Sequence, residues 1–241
     1  MNVGLKSVTQ STMLALLGNP RGSYSRACQP ITNARLKNLV VTKSVGPFRV
    51  TGLSPAVSSL ADVMLDIKNE QPEVYEQLGS AGMLCARNIR GSNVSISNHS
   101  WGTAIDLKIN DVLDIVNNDK AQCGLLEISP IFNRHGWYWG AAFSREDSMH
   151  FEASDQLIRK WHRGGLFDQG LEESYSTLTL GDRGLEVKKL QALLARWGAD
   201  LEIDGIFGHS TLAYVMAFQG EKQLKVDGVV GKYTWRALRE V

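Results

Sequence analysis

The last third of the chain repeats itself. Asp204-Gly205-Ile206-Phe207-Gly208-His209-Ser210-Thr211 returns as Asp227-Gly228-Val229-Val230-Gly231-Lys232-Tyr233-Thr234. Glycines at the second and fifth places of each copy let the backbone turn tightly or take a positive φ at no steric cost. Each copy then runs into apolar residues at helical spacing, Leu212, Val215, Met216 and Phe218 after the first and Trp235 and Leu238 after the second. Upstream, Val187, Leu190, Leu193, Leu194 and Trp197 form another helical stripe. Three short amphipathic helices joined by glycine turns can close around one small core. The repeat therefore predicts a compact helical unit over residues 178–241. It groups no catalytic residues, and by itself it names no ligand.

The rest of the chain is less regular. With 241 residues, 43% of them hydrophobic, there is material for one or two domains. Gly164-Gly165 and the polar run Asp168–Ser176 read as a linker, which divides the chain into a domain over 1–165, a linker over 166–177 and the helical unit. The first domain reads as α+β. Ser54-Pro55 looks like an N-cap and a first-turn proline before a helix carrying Val57, Leu60, Ala61, Met64 and Leu65. Pro72 opens a short helix through Val74, Tyr75 and Leu78. Over 103–109 the period falls to two: Ile105, Leu107 and Ile109 face one way, and Ala104, Asp106 and Lys108 the other. Asn110 can cap a helix through Val112, Leu113, Ile115 and Val116, and Ser154 one through Leu157, Ile158 and Trp161. Residues 1–50 show turns and no stable period.

Composition excludes several classes. Lys plus Arg number 26 and Asp plus Glu 25, a formal charge of +1, so no global field draws the chain to nucleic acid or to an anionic membrane. No nucleic-acid motif is present. The apolar run Met13–Leu17 is too short for an export signal or a membrane span, so no stable membrane insertion is expected and the chain reads as soluble when made. Cys28, Cys85 and Cys123 form no close pair and no metal cluster, and they read as ordinary buried thiols, at least one of which must be free or bond between chains.

The candidate chemistry sits in two short stretches. Ser97-Asn98-His99-Ser100-Trp101-Gly102-Thr103-Ala104-Ile105-Asp106 puts a histidine in a polar turn and an aspartate on the polar face of the strand. Asp147-Ser148-Met149-His150-Phe151-Glu152 supplies a second histidine with carboxylates on both sides. Two imidazoles and one carboxylate can hold a tetrahedral zinc and leave the fourth position for water. A further carboxylate can take that water's proton. No His-Glu-x-x-His pair is present, which excludes the thermolysin arrangement. There is no Gly-x-Ser-x-Gly elbow, and Cys85 has no histidine partner in sequence. Spacing alone leaves a metal site and a chance grouping both open.

Two resemblances sharpen this. Residues 50–153 resemble the M15 zinc peptidases, the D-alanyl-D-alanine carboxypeptidase and L-alanyl-D-glutamate endopeptidase group, and most of all its VanY-like and phage endolysin branch. The match rests on Ser97, His99, Gly102, Ala104 and Asp106 in the first stretch and on Asp147, His150, Phe151 and Glu152 in the second. It implies Zn2+ as cofactor, with His99, Asp106 and His150 as ligands and Asp147 as general base. It also implies a substrate-binding arginine upstream, for which Arg87 fits the pattern better than Arg90. Glu152 is left between orienting an imidazole and facing solvent. Trp137, Tyr138 and Trp139 are left between lining the cleft and packing under the sheet, and His135, His162 and His209 carry no expected role.

Residues 178–240 resemble the peptidoglycan-binding type 1 domain, through Leu180-Gly181-Asp182-Arg183-Gly184, Val187, Leu190-Gln191, the two Asp-Gly-x-x-Gly-x-x-Thr turns and Ala217-Phe218-Gln219. Together the resemblances imply an α+β zinc peptidase domain with a small antiparallel sheet, followed by a three-helix wall-binding domain. The expected partner is bacterial peptidoglycan, and the chain is expected to act as a monomer. It would be made in the host cytoplasm and act on the cell wall in the periplasm or outside the cell, as a phage endolysin endopeptidase does. A D-alanyl-D-alanine carboxypeptidase, a bacterial autolysin or an antibacterial effector would use the same parts. A non-catalytic wall-binding protein would keep both domains without needing the zinc set.

Overall fold

The structure, a computed structural model, describes residues 1–167 and 177–239. The chain forms two compact units, Met1–Leu171 and Glu172–Val241. Most of the expected linker over 166–177 lies outside the described residues.

The first unit is α+β. Strands β1 (Val40–Ser44) and β2 (Arg49–Leu53) pair as an antiparallel hairpin. The main sheet contains β3 (Leu78–Gly82), β4 (Ala104–Ile109), β5 (Trp137–Trp139) and β6 (His150–Ala153), all antiparallel, in the order β3-β4-β6-β5. Directly opposed residues of an antiparallel pair share a face. Ile105, Phe151 and Trp139 are in register and fully buried, so they define the core face. Phe132 stacks on Phe151 at 4.0 Å, and Trp139 stacks on it at 5.9 Å. Asp106 opposes His150 one residue along each strand, so this pair points to the other face.

Helix α3 (Ser54–Glu70) adds Val57, Leu60, Val63, Met64 and Ile67 to the core, while Leu65 is 58% exposed and falls off the stripe. Its first residue is Ser54, and the capping position belongs to Leu53, which has no side chain able to cap. The Leu53 amide instead donates to the Gly102 carbonyl, which ties the start of α3 to the turn carrying His99. Ser154 caps α6 (Asp155–Arg163) as expected, accepting from the Leu157 amide.

Four expectations give way. Residues 1–50 hold α1 (Gln10–Leu17) and α2 (Ala34–Leu39), capped by Thr9 and Asn33, besides β1 and the start of β2. Helices this short, about two turns, do not let a periodicity emerge. The helix expected after Asn110 is absent, because Asn110, Asp111, Asn117 and Asp119 all have positive φ, which stops a right-handed helix. Leu78 leaves α4 (Pro72–Gln77) and begins β3. Cys28 and Cys85 form a disulfide with Cα atoms 5.1 Å apart, and Cys123 is free and exposed. That partnership spans 57 residues of sequence, so no local spacing announces it. Strands β3, β5 and β6 went unread, and so did helix α5 (Cys123–Arg134), which runs through Pro130, a residue that argues against a helix.

In the second unit the described helices are α7 (Leu185–Trp197), α8 (His209–Glu221) and α9 (Lys232–Arg239). Val187, Leu190, Leu194, Phe207, Val215, Phe218, Val230, Trp235 and Leu238 make its core. The repeat has a physical cause. Buried Gln191 donates to the Asp204 carboxylate, the Ile206 carbonyl and the Thr211 hydroxyl, and accepts from the Gly205 amide. Buried Gln219 does the same with Asp227, Val229, Thr234 and the Gly228 amide. Each Asp-Gly-x-x-Gly-x-x-Thr turn is the shell that satisfies one buried amide side chain.

Candidate metal centre

Two local devices bring the histidines to one carboxylate. The first is the short 3-10 turn Asn98–Trp101, closed by Gly102 at φ +67. A Cβ on Gly102 would lie 2.8 Å from the Leu53 nitrogen and 2.9 Å from the Gly52 Cα, so only glycine lets this turn sit against β2. The second is the β4–β6 register, which sets His150 across from Asp106.

The three donor atoms form a small triangle. His99 Nε2 lies 3.1 Å from Asp106 Oδ1 and 3.2 Å from His150 Nδ1, and His150 Nδ1 lies 3.0 Å from Asp106 Oδ1. Zinc bound tetrahedrally at about 2.0–2.1 Å spaces its ligand atoms about 3.3 Å apart. The outward ring nitrogens are also provided for. His99 Nδ1 faces the Met83 carbonyl at 3.0 Å, and His150 Nε2 faces Glu152 Oε2 at 3.1 Å. A proton on each outward nitrogen leaves a lone pair on each inward one, the tautomer that a metal requires. The donor set fits zinc.

Electrostatics sorts the carboxylates. Burial pushes Asp106 up, but the charges and hydrogen bonds of His99 and His150 outweigh it and hold its carboxyl well below the usual range. Burial would lower His150, yet hydrogen bonds to Asp106 and Glu152 push it up to about 10 in the metal-free protein. Glu152 is 3% exposed, so it does not face solvent. Burial raises its carboxyl, and hydrogen bonds from His150, Ser7 and Asn98 bring it below its ordinary value.

Asp147 and Glu146 are neighbours with opposite surroundings. Burial pushes Glu146 up, but the Ser148 hydroxyl and amide and the Asn118 amide together hold it low. Asp147 is pushed above its ordinary value, first by burial and further by the charge of Asp106, although His150 pulls the other way. Its Oδ1 is buried and makes no hydrogen bond among the described residues. A carboxylate with a raised pKa and an unused acceptor beside two imidazoles is suited to exchange protons. Gly140 places it. The Gly140 carbonyl accepts from the Asp147 amide, and a Cβ there would lie 2.6 Å from the Asp147 carbonyl oxygen.

Arg87 lies on the segment paired with the 97–100 turn; its amide donates to Ser100 Oγ, and its carbonyl accepts from the Ser97 amide. Its guanidinium donates to the Asn88 carbonyl and pairs with no carboxylate among the described residues. Arg90 is exposed. Trp137 and Trp139 are buried under the sheet, whereas half-buried Tyr138 stacks on Phe143, which leans on the His150 ring at 5.6 Å. His135 pairs with Asp66, His162 is near Phe167 and His209 begins α8, so none joins the site. Sequence reasoning missed Asn98, Ser7 and Phe143. Asn98 was readable as a polar neighbour of His99, but the other two carry no local signal.

Two stretches of the chain match known families. Residues 90–153 match the M15 family profile described as D-alanyl-D-alanine carboxypeptidase, and residues 183–238 match the peptidoglycan binding domain profile. Over these two stretches the chain is similar to M15-type peptidases and to peptidoglycan-binding domains. An uncharacterized protein in the bpoA1 3' region of Kitasatospora aureofaciens is 44% identical over 73 residues, 29% of this chain and 60% of that protein. The crystal structure of a Burkholderia AP3 phage endolysin is 49% identical over 26% of this chain and 24% of its own, with a TM-score of 0.26. The chain thus spans about three fifths of the first relative and about a quarter of the second. Among the described residues no helix is long and apolar enough to cross a membrane.

Proposed function

We propose that this chain hydrolyses amide bonds in the peptide part of bacterial peptidoglycan, with zinc as its cofactor and the C-terminal unit holding it on the wall. The observation that carries the reading is the donor triangle of His99, Asp106 and His150, with both outward ring nitrogens already engaged. When bound, zinc supplies Lewis acidity to the attacking water and to the carbonyl being cut. Asp147 accepts the proton of that water as its oxygen adds to the carbonyl carbon. It returns the proton to the amine as the carbon–nitrogen bond breaks. Met83 and Glu152 keep the two imidazoles in the ligating tautomer. Arg87 holds a stem-peptide carboxylate or the negative oxygen that develops at the carbonyl.

We favour an internal bond of the stem or cross-link, as in a phage endolysin. A module that holds the enzyme on the polymer serves repeated cutting of that polymer. The carboxypeptidase description of the matching profile supports a second reading, removal of terminal D-alanine. Mass spectrometry of products released from purified peptidoglycan separates the two: split stems support endopeptidase action, and loss of D-alanine alone supports the carboxypeptidase. No product together with no bound zinc would sink both.

A further inference from the structure

The family match begins at residue 90 and leaves the first nine residues without a role. In the structure they form a strap pinned along β5 and α6. Asn2 is buried; its side chain donates to the Trp139 carbonyl and accepts from the Trp139 amide, and its own amide donates to Asn133. Gln156 donates to the Gly4 carbonyl and accepts from the Lys6 amide, and the Asp155 amide donates to the Lys6 carbonyl. These bonds deliver Ser7, whose hydroxyl donates to Glu152 Oε1 at 2.6 Å.

Glu152 is the carboxylate that faces His150 Nε2. Its Oε2 accepts from both His150 and Asn98, the latter at 2.7 Å. Among the described residues, Oε1 has Ser7 alone. We propose that Ser7 is a positioning residue for the metal site, fixing through Glu152 the plane and tautomer of His150. The proposal rests on reading His150 as a metal ligand. Without the hydroxyl, one oxygen of a buried carboxylate loses its donor. Glu152 then turns to find another, the Nε2 contact lengthens, and Nδ1 swings off the triangle.

Removing an outer partner of a metal-bound histidine typically weakens metal affinity by about 10–100-fold. Ser7 acts one bond further out, so a loss of about 10-fold is expected, the lower end of that range. The test uses the full chain, with zinc affinity read by chelator competition and ligand geometry read from the visible spectrum of the cobalt-substituted protein. Ser7→Ala should bind zinc about 10-fold more weakly and shift the cobalt bands, while Ser7→Thr, which keeps a hydroxyl, restores both. Asn2→Ala, which loosens the strap at Trp139 but keeps the Ser7 hydroxyl, should show a smaller loss in the same direction. Parent-like affinity and spectrum in Ser7→Ala would overturn the proposal, as would a Ser7→Thr protein as weak as Ser7→Ala. Parent-like affinity in Asn2→Ala would overturn the role of the strap. A parent protein that binds no zinc would refute the metal reading itself, whereas a parent with one zinc and an unaffected Ser7→Ala refutes only the role of Ser7.

Discussion

The two units bury polar groups in opposite ways. In the C-terminal unit each buried glutamine is satisfied by a turn close by in sequence: Gln191 by 204–211 and Gln219 by 227–234. In the N-terminal unit the polar cluster is assembled from afar. His99 meets His150, Asn98 meets Glu152, and Ser7 reaches Glu152 from the start of the chain. The local networks complete a fold. The distant one leaves its inner atoms, His99 Nε2, His150 Nδ1 and Asp106 Oδ1, facing a common point, and leaves Asp147 Oδ1 without a partner among the described residues. Open hydrogen-bonding capacity beside a cluster of titratable side chains, where the two C-terminal networks close theirs, is how a reactive site differs from a structural one.

Breaking the distant cluster should cost function first. His150→Ala removes one corner of the triangle, and both bound zinc and peptidoglycan cleavage should be lost; full zinc occupancy by elemental analysis of that variant would refute the ligand assignment. Asp147→Asn keeps the shape but cannot take a proton, so turnover should fall by about 10²–10⁴-fold. Zinc should stay near one per chain. Loss of zinc along with activity would instead make Asp147 a ligand, and retained activity would point to another carboxylate as the base.

Breaking a local network should cost stability without touching the chemistry. Gln191→Leu strips the donor set from Asp204 and Thr211 and orphans the buried Gly205 amide, at a cost of about 1–3 kcal/mol. Amide exchange at Gly205 should quicken while cleavage of small soluble muropeptides is unchanged. Equal exchange in parent and variant would show that the turn does not depend on the glutamine.

The pH response should separate the units too. Folding raises His150 from 6.5 to about 10 in the metal-free protein. The stability this adds is complete below about 6.5 and drains away as pH climbs toward about 10. Asp106 and Glu152 are lowered by folding, so their contribution is present above their unfolded values of 3.8 and 4.5 and is lost in acid. After zinc is chelated, the N-terminal unit should melt highest between about 4.5 and 6.5. Asp204 and Asp227 are also lowered, so the C-terminal unit should weaken in acid and hold level above neutrality. Scanning calorimetry across pH reads both; an N-terminal transition that is flat from pH 6.5 to 10 would argue against the His150 cluster.

How much of this was legible follows the same division. The repeat was visible because each glutamine and the turn that satisfies it lie no more than 20 residues apart. The strand of Asp106 was visible because alternation is local, and so was the Ser154 cap. The paired Cys28 and Cys85 and the reach of Ser7 to Glu152 were hidden by separation along the chain. The mistaken helix after Asn110 has a different origin. Val112, Leu113, Ile115 and Val116 imitate a helical stripe, but the left-handed Asn110 and Asp111 just before them decide the path, and the apolar residues stay largely at the surface. The metal set was read by resemblance; spacing alone could not have closed a triangle between residues 99 and 150.

Gly140 has a bearing on how such an enzyme can change. Its missing side chain lets the segment that carries Asp147 press against it, with the His150 Cβ 3.1 Å from where a methyl group would stand. The spacing between Asp147 and His150 is therefore cast by a void. Phe143 belongs to the same mould, its ring standing 2.9 Å from that methyl position. The smallest substitution available at position 140 would press on Asp147 and His150 together.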